Sequence, residues 1–520
     1  MPDEDTRPNF LIFVTDEQPG NLLGCDGHPV LQTPNIDRLA SEGVRFSRCY
    51  TVHPMCMPTR ATWFTGRTPR GHRVRCNGIP LDASLPTITD ALRRAGYATH
   101  GIGKHHLRCW GTLRDADPDS LDPLEWCESR HMWHNGRINA IPTPYYGLER
   151  VDFTGGNGNA IYGDYAPWVL QREPDAYSIM APPPPREGEY ALRRVWDNDL
   201  PPDLHYIAWM TERAIAALRR FASQRRPFLL WHSFPDPHPP YTAPRPWCRM
   251  YDPADVPPPN RRPAELDDLP PHYRTLFESR MLTSGCMGLT NIPDDHIRRM
   301  RAMAYGMVSH VDHHVGIVLR ELDRLGLAES TVVVFMSDHG RCLGDHWLDN
   351  MPPAHYDEVL RVPCLWRYPG RFTAGAASDA LVSALDFAPT ILALARLPIP
   401  EGPAPTTPEA PAQPPPWPGR SLLPLLTGDA DSVQDSVIAE LDEDYLGLQL
   451  RTLITRDFWL TIYGGDRDIG ELYDLRDDPN QLHNRWNDPR CQTFKRELQA
   501  ELLYRLTETG SALPRRLCHA

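Results

Sequence analysis

The run Phe10-Leu11-Ile12-Phe13-Val14, closed by Thr15-Asp16-Glu17, decides how the chain folds. It is short, bounded by Pro8 and Asp16, and shows no polar alternation. Such a run reads as a strand buried on both faces, the kind found in parallel sheets covered by helices on either side. A second run, Thr331-Val332-Val333-Val334-Phe335-Met336, is β-branched and ends in Ser337-Asp338-His339-Gly340. Both runs deliver acidic residues at their carboxyl ends, where open α/β sheets hold their ligands.

Outward from these runs, strand-like and helix-like segments alternate. The sequence predicts a short helix over 36–43, with Pro34 ahead of it and Gly43 at its end, then a strand over 44–50. A helix over 87–95, closed by Gly96, leads to a strand over 98–102. Later come a helix over 210–221, a strand over 227–233 and a long helix over 303–325. This alternation predicts an α/β domain over 1–396 with a doubly wound, mostly parallel central sheet. Residues 108–200, rich in Trp, Tyr, Gly and Pro, read as an insertion near the site mouth, and Gly155, Gly156 and Gly158 within it read as loop. Residues 397–419 read as a Pro-rich, semi-rigid linker. Residues 420–520 read as a smaller C-terminal α+β subdomain, with a couple of strands and a helix over about 491–507.

With 520 residues the chain can bury a large core, and its 41% hydrophobic and 23% charged content is ordinary for a soluble globular protein. A formal net charge of −13 leaves no global basic field for nucleic acid or a membrane surface. No signal-peptide pattern opens the chain, and no stretch approaches the roughly 18 uninterrupted apolar residues of a membrane span. Twelve cysteines without CxxC pairs point to reduced thiols. The expectation is a soluble cytoplasmic protein without a nucleic-acid or membrane partner, and a homo-oligomer is compatible with it.

Chemistry concentrates in Cys56-Met57-Pro58-Thr59-Arg60, continued by Ala61-Thr62-Trp63-Phe64-Thr65-Gly66. Taken bare, such a pentapeptide reads most simply as a buried structural cysteine. Its setting changes that reading. Asp16-Glu17 and Asp338-His339, at the ends of two strands, offer three carboxylates and an imidazole. That donor set suits a divalent cation of the Ca²⁺, Mg²⁺ or Mn²⁺ type. Gly103-Lys104-His105-His106-Leu107 follows a further strand, and Pro237-His238-Pro239-Pro240-Tyr241 another. Arg60 and Lys104, with the cation, would supply the positive charge that hydrolysis of a tetrahedral anionic ester requires. The expected substrate is therefore a small anionic ester.

Together these segments resemble the sulfatase family of the alkaline phosphatase superfamily, near its choline-sulfatase and phosphonate monoester hydrolase-like branches. Residues 56–60 resemble the signature Cys-x-Pro-Ser/Thr-Arg, followed by Thr-Gly at 65–66. Gly344-Asp345-His346, Leu360-Arg361-Val362-Pro363, Glu471-Leu472-Tyr473-Asp474-Leu475, Asp478-Pro479 and Asn484 match later landmarks in the same order. The resemblance implies sulfuric ester hydrolysis, with Cys56 oxidised to formylglycine by a formylglycine-generating enzyme. It implies one divalent cation, Ca²⁺ before Mn²⁺ or Mg²⁺, held by Asp16, Glu17, residue 56, Asp338 and His339. It further implies that a hydroxyl of the hydrated aldehyde attacks sulfur or phosphorus, and that His238, with Lys104, protonates the leaving oxygen. His106 would then take the proton whose loss releases the inorganic anion, and Arg60 would hold the diol. Asn77 is placed like an asparagine near the substrate in phosphonate monoester hydrolases, and joins Lys104 and His238 as a substrate-binding candidate.

The match also departs from the pattern. Many members carry a second lysine where this chain has Met351, which cannot bind an anion electrostatically; Arg341 and His355 are the nearest candidates to replace it. His339, where many sulfatases have Asn, fits the two branches named and adds weight to Mn²⁺. Other readings stay open: a phosphonate monoester or phosphodiester hydrolase using the same aldehyde, a non-catalytic binding protein on the same scaffold, and an unmodified Cys56 thiolate. His310, His313 and His314, at helical spacing, read as structural, and His53 and His72 as packing or supporting residues.

Overall fold

In the computed structural model, which describes residues 7–111, 117, 120–183, 194–224, 226–279, 292–349, 353–400, 417–442, 444 and 446–508, the run at 10–14 lies in strand β1 (Asn9–Thr15). This strand occupies the middle of a nine-stranded sheet. Its partners are β2 (Val44–Tyr50), β3 (Ala98–Gly103), β4 (Arg150–Gly155), β5 (Tyr162–Gly163), β6 (Phe228–Ser233), β7 (Thr331–Ser337), β8 (Cys364–Arg367) and β9 (Ala376–Ser383). The order is β5-β4-β3-β6-β1-β7-β8-β2-β9. Pairing is parallel from β4 through β3, β6 and β1 to β7, and again between β2 and β9. It is antiparallel at β4–β5, β7–β8 and β8–β2. The mostly parallel sheet expected from the alternation is borne out.

Alternate residues of β1 serve opposite cores. Phe10, Ile12 and Val14 pack with the Cys56–Thr65, Ile88–Arg94 and Phe387–Leu394 helices. Leu11 and Phe13 pack with the Pro34–Glu42, Tyr206–Ser223 and Asp294–Arg324 helices. Burial on both faces is why the run carries no polar alternation.

Three elements differ from the sequence reading. The signature segment itself is a helix, Cys56–Thr65, with Pro58 in its first turn, where a missing N–H breaks no helical bond. The long helix begins at Asp294, since Ile297 and Met300 extend its buried face ahead of residue 303. Gly155 ends β4, and Gly158 opens a one-turn 3-10 helix, so the glycines at 155–158 are not all loop. Charged Arg150 and Asp152 interrupt the apolar pattern that would have marked β4. Within 108–200, β4 and β5 thus extend one edge of the central sheet.

C-terminal strands β10 (Ser436–Asp442), β11 (Gln449–Thr455), β12 (Phe458–Tyr463) and β13 (Gly470–Asp474) form an antiparallel sheet backed by the Gln492–Glu508 helix. Residues 401–416 of the Pro-rich stretch, and Met351, lie outside the described residues. No helix among the described residues is long and apolar enough to cross a membrane.

Two buried carboxyls join elements of this frame. Glu471 on β13 accepts the hydroxyls of Tyr463, of Tyr473 at 2.8 Å and of Tyr273 at 3.1 Å, the last from the Pro271–Ser279 helix. Asp236, just past β6, accepts the Tyr206 hydroxyl at 2.5 Å, and its carbonyl accepts the Asp16 N–H at 3.1 Å. Burial pushes the Asp236 carboxyl up to about 7, with Asp16 adding to the rise and the Tyr206 bond opposing it.

Glu471→Ala should lower the melting temperature clearly, because each stranded buried hydroxyl costs about 1–3 kcal/mol. Glu471→Gln, which keeps an acceptor, should recover most of the loss; an unchanged melt for the alanine variant would rule out the hub. For Asp236 the folded pKa is raised, so the folded state prefers the neutral carboxyl. Stability is therefore lost as pH rises from the ordinary 3.8 through about 7. Asp236→Asn should gain up to about 4 kcal/mol over the natural chain at pH 8 and much less at pH 5. A gain of equal size at both, measured by thermal or denaturant melts, contradicts this.

Candidate active site

Four neighbouring strands end together. Asp16 and Glu17 leave β1, Lys104 leaves β3, Ser233 closes β6, and Asp338 and His339 leave β7. Gly103, at φ 90, lets β3 end against β6; a Cβ there would meet the Ser233 carbonyl at 2.1 Å. Cys56 faces these ends from the first turn of its helix, a location that favours anions through the unpaired N–H groups. Its Sγ lies 3.3 Å from His339 Nε2, 3.6 Å from Asp16 Oδ1 and 3.6 Å from Lys104 Nζ. One ligand atom each from Asp16, Glu17, Cys56 and His339 fall within 4.8 Å of one another, all buried. Asp338 stands beside this group, not within it. Its Oδ1 accepts the N–H groups of Glu17 at 3.1 Å and His339 at 3.0 Å, and its Oδ2 accepts Arg60 Nε at 2.9 Å.

Arg60 is buried one turn beyond Cys56. Its second terminal nitrogen lies 2.9 Å from Asp338 Oδ2 and 3.7 Å from Asp16 Oδ2. Its first donates to the Lys104 carbonyl at 2.8 Å and to Ser233 Oγ at 2.9 Å. Lys104 Nζ pairs with Asp16. Glu17 is bracketed by Arg341 on one oxygen and by His238 Nε2, 3.1 Å away, on the other. Three carboxylates thus face three basic side chains, the pairing that buried charges require.

The donor set fits a divalent cation. Asp16 Oδ2 and Glu17 Oε1 are buried yet accept no well-oriented hydrogen bond among the described residues. His339 Nδ1 lies 2.9 Å from the Gly340 carbonyl; donation there leaves Nε2 with a free lone pair toward the carboxylates. Burial opposes ionisation of Glu17, but neighbouring positive charge, His238 and Arg341 foremost, outweighs it and holds its pKa at about 2. Burial, reinforced by Asp16, pushes the Cys56 thiol well above its ordinary range. Burial, with Lys104 and Arg60, keeps His106 neutral.

Glu17 and His106 both have positive φ, 62 and 53, a strained region for such side chains. The His106 loop is held by Glu128, which accepts the N–H groups of His106 at 2.9 Å and Leu107 at 3.0 Å, Trp110 Nε1 at 3.1 Å, and the Tyr145 hydroxyl. Half-buried Trp110 stacks on His106 with ring centroids 4.0 Å apart and lies 4.7 Å from Lys104 Nζ. The sequence reading missed both residues. An aromatic close behind the 103–107 segment was a usable signal for Trp110; nothing in the spacing marks Glu128.

His238 keeps 23% of its side-chain surface exposed. Asn77 Oδ1 accepts the Met57 N–H at 3.0 Å, so this side chain caps the turn that carries Cys56. Of the two candidates to offset Met351, Arg341 enters the site, whereas His355 Nδ1 bonds Thr452 Oγ1 of the C-terminal sheet at 2.6 Å. His53 Nε2 contacts the Arg75 carbonyl, and His72 Nε2 contacts Thr62 Oγ1. The His310 ring packs edge-on against those of His205 and His314, away from the carboxylates.

Comparison with known proteins places this arrangement. Residues 345–508 match the family model described as N-sulphoglucosamine sulphohydrolase, C-terminal. The chain is 27% identical to the choline-sulfatase of Rhizobium meliloti across 93% of this chain and 83% of that one. It is 30% identical to the multifunctional alkaline phosphatase superfamily protein PehA of Trinickia caryophylli, across 81% and 77%. The crystal structure of the phosphonate monoester hydrolase of Agrobacterium radiobacter superposes with a TM-score of 0.77 at 25% identity, covering 97% of this chain and 96% of that one. Residues 8–397, which carry both strand-end residue pairs, 16–17 and 338–339, and the 56–60 segment, match the family model described as Sulfatase, and the chain belongs to the sulfatase family.

Proposed function

We propose that this protein is a sulfuric ester hydrolase in which residue 56, oxidised to formylglycine, attacks a sulfate monoester. The position of Cys56 carries this reading. It opens a helix with an imidazole, a carboxylate and a lysine all within 3.6 Å of its sulfur. A thiol pushed up by burial and Asp16 is a poor anion, which weighs against a thiolate mechanism. Formylglycine in water supplies two hydroxyls on one carbon, one to attack and one whose deprotonation lets the inorganic anion leave by C–O cleavage.

Asp16, Glu17 and His339, with residue 56, would hold one divalent cation, and Asp338, expected from the sequence as a further ligand, stands beside them with its oxygens on Arg60 and backbone N–H groups; the carboxylate-rich set fits Ca²⁺ first, and the imidazole suits Mn²⁺ better than Mg²⁺. When bound, the cation supplies Lewis-acid stabilisation of the ester oxygens and lowers the pKa of the attacking hydroxyl. Three carboxylates already face three basic side chains, so a divalent ion leaves surplus positive charge for an anion. Lys104 holds positive charge beside residue 56. His238, partly open to solvent, would give a proton from Nε2 to the leaving oxygen. Neutral His106 would take a proton from the second hydroxyl. Arg60 engages Asp338, the Lys104 carbonyl and Ser233, so we assign it to holding the carboxylates and not to the diol. Asn77 steadies the turn that presents residue 56.

A second reading, phosphonate monoester or phosphodiester hydrolysis by the same groups, is favoured by the likeness to the phosphonate monoester hydrolase. Both classes of ester present one negative charge, so the charged side chains do not separate them. The ten described cysteines are free, which supports a reducing, cytoplasmic setting, with a formylglycine-generating enzyme as maturation partner.

Parallel kinetics on an aryl sulfate and an aryl phosphonate should give the higher kcat/KM for the sulfate; the reverse order supports the second reading. Turnover of neither ester by the aldehyde-bearing, metal-loaded protein would leave a binding protein. Cys56→Ala should lower turnover by about a thousandfold or more while melting temperature and metal content hold. Mass analysis of the peptide 51–67 from protein made in its native host should show the aldehyde in place of the thiol. An unaltered thiol there defeats the mechanism.

A further inference from the structure

The three basic side chains at the site are not equivalent. Arg60 donates to protein acceptors on several strand ends, and Lys104 pairs with Asp16 against the sulfur of residue 56. Arg341 is only 2% exposed, and one terminal nitrogen donates to Glu17. Its Nε and other terminal nitrogen have no hydrogen-bond acceptor among the described residues. The Asp349 carboxylate stands off at 3.9 Å, and the Tyr241 ring centroid lies 5.9 Å from the guanidinium carbon. The Tyr241 hydroxyl, also buried, has no hydrogen-bond partner among the described residues either. Unsatisfied buried donors are uncommon in folded proteins and costly. A planar guanidinium with two free N–H-bearing nitrogens is the shape that takes the oxygens of a tetrahedral anion. Glu17 brings this fork and His238 to its two oxygens, whereas Lys104 is paired with Asp16.

We propose that Arg341, with the Tyr241 hydroxyl beside it, is a second anion-positioning group of this site. It would take an ester oxygen beside Glu17 and His238, while Lys104 takes one beside residue 56. This deepens the hydrolase reading and rests on it, in that the site must admit a tetrahedral anion.

Calorimetric titration of the full chain, metal-loaded and metal-free, with inorganic sulfate and separately with phosphate reads anion binding without turnover. Arg341→Met should weaken sulfate binding by about tenfold or more, and Arg341→Lys should recover part of the loss. On the cleaved ester, KM should rise in Arg341→Met more than kcat falls. Since that variant also leaves Glu17 without its cation, metal content and melting temperature are measured alongside. Unchanged sulfate affinity in folded, metal-loaded Arg341→Met overturns the proposal. So does affinity that returns to the natural value once metal occupancy is matched, which would confine Arg341 to supporting the cation. If the methionine variant does not fold, Arg341→Lys decides: weaker sulfate binding at equal metal content upholds the fork, and equal binding overturns it. A natural protein that binds neither anion also overturns it. Arg341-dependent sulfate binding in a protein that cleaves neither ester upholds Arg341 and removes the hydrolase reading, so the two failures are told apart.

Discussion

The pairing of Arg60 with Asp338 and Asp16, wholly out of solvent, is the interaction around which the site is arranged. From the middle of the Cys56–Thr65 helix, one guanidinium reaches Asp16 past β1, Lys104 past β3, Ser233 of β6 and Asp338 past β7. Three carboxylates gathered at adjacent strand ends would repel one another; the planar cation offsets that repulsion and fixes the helix over the strand ends at once. Stripping one partner from such a buried pair costs about 3–5 kcal/mol, since the other charge is left without compensation. Cys56, one turn earlier on the same helix, is held against Asp16, Glu17 and His339 by the same contacts. A residue read at first as holding the reacting group is better understood as holding the ground it stands on.

Around that anchor, two of the nine described non-glycine residues with positive φ border the site. Glu17 and His106 adopt left-handed backbone conformations, and each is over-determined by its surroundings. Arg341 and His238 clamp Glu17, while Glu128 gathers four donors to hold the His106 loop beneath Trp110. The carboxylate at 128 is buried and its acceptors are filled, so it acts by fixing backbone direction and not by touching a substrate.

The segment after His339 shows how a motif divides its tasks. Asp338 and His339 face the site, but Asp345 and His346, a few residues on, do not. Asp345 pairs with Arg301 at 2.6 Å, and His346 lies between Glu265 at 2.6 Å and Glu358 at 3.3 Å, stacked on Tyr356. These contacts anchor the chain beyond β7. The C-terminal sheet shares a core with the same region through Tyr356, Leu360, Trp459 and Tyr473. The later landmarks therefore stabilise the frame that orients the earlier ones.

Much of this was legible in the linear chain. Apolar runs without alternation, ending in acidic residues, declared a buried parallel sheet with polar groups at its carboxyl edge, because side-chain burial on both faces leaves a direct imprint on residue type. Cys56, the basic residues and the carboxylates that the fold gathers could likewise be named, since their chemistry is carried by residue identity. What the chain order could not convey was which charge answers which. Arg341 lies 324 positions from Glu17, Arg60 lies 278 from Asp338, and Glu128 sits in a stretch with no motif. Those partnerships arise only when sheet order brings β1, β3, β6 and β7 side by side, because electrostatic and hydrogen-bond energies depend on distance in space and leave no periodic trace along the backbone.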